Sequence, residues 1–157
     1  MKKIILFTFL TFITFILTSC SSSMSYKTYT VTYTGNHHLT HEIINSVSDI
    51  KYFYKDYNTS VGLDDIQDET NSNYDEVMSS YTEDFFKENS LIFIIIETNN
   101  SNDVYKITEH YAIDDTYHFT FEKKTSNQLG DDSCSSLLYI ITIEKISSDL
   151  NLEIEVK

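Results

Sequence analysis

Tyr81-Thr82-Glu83-Asp84-Phe85-Phe86-Lys87-Glu88-Asn89-Ser90, running directly into Leu91-Ile92-Phe93-Ile94-Ile95-Ile96, is the stretch whose reading decides the fold. Its first part predicts a short helix. Thr82 can accept a hydrogen bond from the free amides of a first turn, Glu83 and Asp84 complement the positive helix end, and Asn89 suits the exit. Tyr81 and Phe86 flank the cap at the spacing of a hydrophobic staple. The six apolar residues that follow show no polar alternation, which fits a strand covered on both faces or a buried helix segment. The shortness of the run favours the strand.

Working outward toward the C-terminus, residues 98–103 (Thr-Asn-Asn-Ser-Asn-Asp) predict a turn in which asparagine takes the left-handed conformations usually left to glycine. A strand over 104–113 and the turn Asp114-Asp115 come next. Tyr117, Phe119 and Phe121 then alternate with His118, Thr120 and Glu122 in the cleanest amphipathic strand of the chain. A polar loop over 123–136 separates this from a strand over 137–145. In a last strand Leu150, Leu152, Ile154 and Val156 alternate with polar partners. Toward the N-terminus, residues 26–34 alternate with a threonine row in a strand with one wet face. Gly35-Asn36 turns the chain, and 39–45 returns as the second strand. Ser48 with Asp49 is expected to open a helix whose Ile50, Phe53, Tyr54 and Tyr57 fall at i, i+3, i+4 and i+7. Residues 58–73 read as an acidic loop with at most a helical turn, and Val77, Met78 and Tyr81 extend the opening helix backwards. The expected class is α+β: a mainly antiparallel sheet of six or seven strands with one or two packed helices.

The first twenty residues are a targeting segment. Lys2 and Lys3 form its charged start, residues 4–17 its apolar core, and Leu17-Thr18-Ser19-Cys20 its end. That tetrapeptide resembles the lipobox of bacterial lipoproteins. The resemblance implies cleavage after Ser19, so that 1–19 is a signal peptide, and a diacylglyceryl thioether on Cys20. Two acyl chains, at about 0.8 kcal/mol per buried methylene, hold a protein stably on a membrane where one chain gives only a marginal hold. The expected location is therefore the outward face of the cell membrane, with residues 20–25 as lipidated cysteine and tether and 26–157 as a single domain. The alternatives are an ordinary signal peptide with a coincidental cysteine, or an uncleaved anchor helix, for which a fourteen-residue core is short.

Composition narrows the class further. Across 157 residues, 41% hydrophobic and 14% aromatic content supplies a core for one domain. Arginine and proline are absent while Ile, Asn, Tyr, Phe and Lys abound. Those residues have AT-rich codons, so the absences reflect a low-GC genome and not functional choice. The net charge is -13; the leader contributes two lysines and no acid, leaving -15 on a mature part beginning at Cys20. Such a surface repels nucleic acid and anionic lipid and suits basic proteins, peptides or cations, although solubility alone accounts for it.

The segment from Phe85 to Lys145, with its Phe-Phe helix end, apolar strand, turn, aromatic strands and terminal Tyr139-Ile140-Ile141-Thr142-Ile143-Glu144-Lys145, resembles the C-terminal domain of PrcB, a protease-complex accessory lipoprotein. Where that family has a Gly-Gly-Tyr type turn, this chain has Asn102-Asp103-Val104-Tyr105, and where it has Pro-Tyr before the final strand, this chain has Leu138-Tyr139. The resemblance implies an exported, lipid-anchored protein that binds and stabilises a surface protease complex, and it carries over no catalytic residues.

Reactive groups are sparse in pattern. His37, His38 and His41 are close in sequence, and on a strand His37 and His41 share a face; a metal site would need His110, His118 or a carboxylate in addition. A polar turn and strand edge is the plainer reading. Asp64, Asp65, Asp68 and Glu69 lack the calcium-loop spacing and read as a solvated loop. Cys134, with no intramolecular partner once Cys20 carries lipid, lies among Asp131, Asp132 and serines, where a thiolate is disfavoured. No phosphate-cradling loop or nucleophile elbow is present. The twelve tyrosines cannot all be buried without hydroxyl partners, so some are expected at the surface, where tyrosine favours protein contacts. These observations support a non-enzymatic accessory or interaction module with no cofactor beyond its lipid; the alternatives are a lipoprotein that captures a cation or peptide, and an enzyme.

Overall fold

The computed structural model describes residues 24–31, 40–66, 73–98, 103–124 and 135–157. The lipobox with Cys20, His37 and His38, the Gly35-Asn36 turn, Asp68 and Glu69, and Cys134 lie outside them. Seven strands are present: β1 (Ser25–Val31), β2 (Thr40–Ile44), β3 (Asn89–Thr98), β4 (Val104–Ile113), β5 (Thr116–Lys124), β6 (Ser135–Glu144) and β7 (Asn151–Val156). The helices are α1 (Val47–Val61), α2 (Tyr74–Ser79) and the single turn α3 (Phe85–Glu88), with a 3-10 turn at Leu63–Asp65. The fold is α+β and dominated by sheet, as expected.

The strands divide between two sheets instead of one. The larger has the order β1-β6-β3-β2, antiparallel throughout, and the smaller the order β4-β5-β7. The reason lies in the apolar run. Ile92 to Ile96 with Leu91 are 0–3% exposed, so both faces of β3 need a cover. Leu91, Phe93 and Ile95 pack with Leu138 and Ile140 against Ile50, Phe53, Leu63, Tyr74 and Phe86 of the helical layer. Ile92, Ile94 and Ile96 pack with Tyr139, Ile141 and Ile143 against Ile107, Tyr117, Phe119 and Phe121 of the smaller sheet. Helices, four-stranded sheet and three-stranded sheet thus form three layers around two cores.

One expectation about pairing is corrected. β2 does not return beside β1; it pairs with β3, and β1 pairs with β6 at the opposite edge. In that pairing Ile43 stands opposite Ile92 and Ile44 opposite Leu91, apolar cross-strand pairs of the kind that stabilise a sheet. β7 runs parallel to β5, with Phe119 opposite Ile154, because the chain crosses from the larger sheet to the smaller between β6 and β7. That places Leu152 and Ile154 over the second core.

The helices also differ from expectation at their ends. The cap of α1 lies two residues before Ser48: it is Ser46, its Oγ accepting from Asp49 N at 3.2 Å, while Asp49 Oδ2 accepts from Asn45 N at 2.8 Å. The helix continues through residues read as loop to Val61 and stops at Gly62, whose φ of 59° only glycine adopts without cost. Val61, Leu63 and Ile66 are buried, so this part of the acidic stretch is core-forming. Val77 and Met78 belong to α2, a separate helix capped by Asn73, and not to a backward extension of α3. At α3, Phe85 N donates to Thr82 Oγ1 at 3.3 Å as the sequence anticipates. Asn89 closes the helix with its side chain, Nδ2 donating to Phe85 O at 3.2 Å, while its backbone is already extended.

Candidate interaction surface

A concave surface lies between α1 and β2. On α1, Asp49, Tyr52, Phe53 and Asp56 recur at i, i+3, i+4 and i+7 and so share one face beside the buried stripe. β2 runs alongside as an edge strand and turns Glu42 and Ile44 toward the helix. Together with Tyr57 they enclose a groove of about 180 Å³. Its floor is rigid: Phe53 meets Phe93 edge-on at 4.8 Å and Tyr57 at 4.7 Å between ring centroids. Tyr57 Oη donates to Glu42 Oε1 at 3.1 Å. Partial burial, then the charge of Glu42 with this bond, then Asp56, push the Tyr57 phenol above its ordinary range.

The electrostatics of the groove are one-sided. Glu42, Asp49 and Asp56 line it and, among the described residues, no lysine does, whereas Lys51 and Lys55 border Tyr52 with Ser48. Tyr52 is 65% exposed and belongs to both sets. Three carboxylates and two phenols over an apolar floor suit a cationic side chain, which carboxylates bind by charge-assisted hydrogen bonds and aromatic faces by cation–π attraction.

A second cleft opens on the other side of β2. His41, Glu42 and Ile43 bound it with Ser148, Leu150, Asn151 and Leu152, around a space of about 390 Å³, so that Glu42 borders both clefts. Ile43, Leu150 and Leu152 are half-buried and give it an apolar wall.

The residues singled out in the sequence are dispersed. His41 is exposed at the second cleft. His110 lies in the smaller sheet, its Nδ1 3.2 Å from Tyr117 Oη, and His118 Nδ1 lies 3.1 Å from Glu153 Oε2 on that sheet's outer face. Among the described residues no three His, Cys, Asp or Glu side chains are grouped to hold a metal ion. Asp64 is engaged by protein donors: the Tyr54 hydroxyl donates to it, and Asn58 Nδ2 donates to Oδ2 at 2.8 Å. Those bonds hold its carboxyl below the usual range. Of the tyrosines, Tyr29, Tyr74, Tyr81, Tyr117 and Tyr139 are buried, while Tyr26, Tyr52 and Tyr111 are exposed on three different elements. Surface tyrosines are therefore present, as expected, but only Tyr52 joins the groove. The helical half of the groove was open to sequence reasoning through the spacing of Asp49, Tyr52 and Asp56; Glu42 was not, because only the β2–β3 pairing brings it there.

Among the described residues no helix is long and apolar enough to cross a membrane. Comparison with protein-family models, curated proteins and solved structures finds no match.

Proposed function

We propose that this protein is a bacterial surface lipoprotein, held on the outer face of the membrane through Cys20, that works as a non-enzymatic accessory module by docking other exported proteins. The observation that carries the docking role is the acidic groove of Glu42, Asp49 and Asp56 with Tyr52 and Tyr57. Protein bonds hold two of its polar groups in place, Asp49 accepting from Asn45 N and Tyr57 donating to Glu42, and the exposed Tyr52 ring has the amphipathic character favoured at interfaces. The lipobox supports the location, and the resemblance over residues 85–145 supports a surface protease complex as partner. Capture of a small cationic or peptide ligand is the second reading, since the same groove would hold it; thermal stabilisation by that ligand is its signature.

Two measurements test the proposal. Replacing Cys20 (Cys20→Ser) releases the protein from the membrane fraction while its circular dichroism is unchanged; a variant that stayed membrane-bound with its leader removed would overturn the anchor. Cross-linking and co-purification of the lipidated protein, against an unrelated lipoprotein as control, returns a stoichiometric protein partner. Recovery of none after repeated trials removes the accessory role and leaves ligand capture.

A further inference from the structure

β2 is hydrogen-bonded to β3 on one side, and among the described residues no strand pairs with its other side. That edge lies between the acidic groove against α1 and the cleft against β7, one wall of which is apolar. We propose that β2 accepts an extended segment of a partner protein as a fifth strand of the larger sheet, and that the segment alternates basic with apolar side chains. The inference rests on the accessory-module reading and names the chemistry of its partner.

The pleat dictates the alternation. Successive side chains of a strand point to opposite faces, and a strand added beside β2 continues the same pleat about 4.8 Å away. One set of its side chains therefore enters the groove of Glu42, Asp49 and Asp56, where lysine or arginine is complementary and an acid is repelled. The other set enters the cleft on the opposite face, where an aliphatic side chain packs on the wall of Ile43, Leu150 and Leu152 beside the polar His41, Glu42, Ser148 and Asn151. Because β2 has only five residues, the ladder offers few hydrogen bonds, and the two clefts supply the remaining recognition.

The other edges differ from β2. β4 carries Lys106 and a register shift between Ile107 and Glu109, a bulge that spoils an edge for pairing. β1 carries Lys27, and β7 presents Glu153 and Glu155 at alternate positions. β2 keeps an unbroken register with β3 and has no lysine.

The probe is a synthetic decapeptide alternating lysine and valine, titrated by fluorescence anisotropy against the full-length lipidated protein in detergent micelles. An alternating glutamate–valine peptide, and two versions N-methylated on alternate residues in either phase, accompany it. The expected results are binding of the lysine–valine peptide and at least about tenfold weaker binding of the glutamate peptide. N-methylation in one phase only should abolish binding, because one set of amides faces β2, and hydrogen exchange should show protection gained within residues 40–44. The double variant E42Q/D56N should weaken binding by about threefold to tenfold. Absence of binding, equal binding of both charge types, indifference to N-methylation or protection gained on another strand would each overturn the proposal. A protein partner co-purified from membranes and retained equally by E42K/D56K sinks the β2 edge while leaving the accessory role intact. Peptide binding of the expected kind without any membrane partner does the reverse.

Discussion

Ser46 illustrates how one hydroxyl sets the position of an element. Ser46 and Ser48 both precede the apolar stripe of α1, but only Ser46 has extended backbone and an oxygen facing the Asp49 amide. Ser46→Ala should lower the unfolding free energy by about 1 kcal/mol, and Ser48→Ala should stay within about 0.5 kcal/mol. Urea titrations of the two variants check this, and a larger loss at Ser48 would refute the assignment. Ser90 works similarly where α1, β3 and β6 meet. Fully buried, it donates to Asn45 Oδ1 and accepts from Ile146 N at 3.0 Å, while Lys145 Nζ donates to Asn45 O at 2.9 Å. Buried phenols give a pH prediction. Burial pushes the Tyr81 hydroxyl from 10.0 up to about 12, and burial likewise raises Tyr74 and Tyr139. The folded chain then keeps protons that the unfolded chain releases, so stability is fully present below pH 10 and is lost as pH rises from 10 to about 12. Tyrosinate absorbance and circular dichroism followed together should show part of the tyrosinate signal appearing only with loss of structure; complete ionisation of a folded protein would contradict it.

At the scale of elements, β3 carries the most weight because its two faces feed different cores. Phe93→Ala should cost about 3–5 kcal/mol through the helical side, and Ile94→Ala about 2–5 kcal/mol through the smaller sheet. Ile113→Ala, at a 56% exposed position, should cost almost nothing. Chemical denaturation of the three variants orders them, and a mild effect at either buried position would show that its core is not packed as described. The importance of β3 was legible in its unbroken apolar run, as was the amphipathic face of β5, where Tyr117, Phe119 and Phe121 are all buried. Helix ends were less so. Asn58-Thr59-Ser60 are poor helix formers, and packing of Val61 on the core, with Gly62 as terminator, overrides that local preference. Partnering of strands was least legible, since β1 and β2 are adjacent in sequence yet stand at opposite edges, and nothing in either encodes that separation. The groove shares this limit: its helical residues follow a spacing, while Glu42 enters only through β2–β3 pairing.

For the whole molecule, one charge distribution should act in opposite directions on folding and on binding. With a net charge of -13 and ion pairs such as Lys87–Asp84 lying at the exposed surface, self-repulsion among carboxylates is the dominant long-range electrostatic effect. Salt shortens the reach of that repulsion, the Debye length falling from about 30 Å at 0.01 M to about 8 Å at 0.15 M. Raising sodium chloride between those concentrations should therefore raise the melting temperature measured by calorimetry. Over the same range, attraction between the acidic groove and a lysine-bearing strand is screened as well, so the affinity of the lysine–valine peptide should fall. A melting temperature that dropped with salt would mean that the ion pairs, foremost the less exposed pair of Lys123 Nζ with Asp103 Oδ1 at 2.7 Å, outweigh the repulsion. Asp103 is largely buried and its partner is half in solvent, so that pair is screened less than the surface as a whole. It is one pair against an excess of thirteen negative charges, which fixes the expected sign.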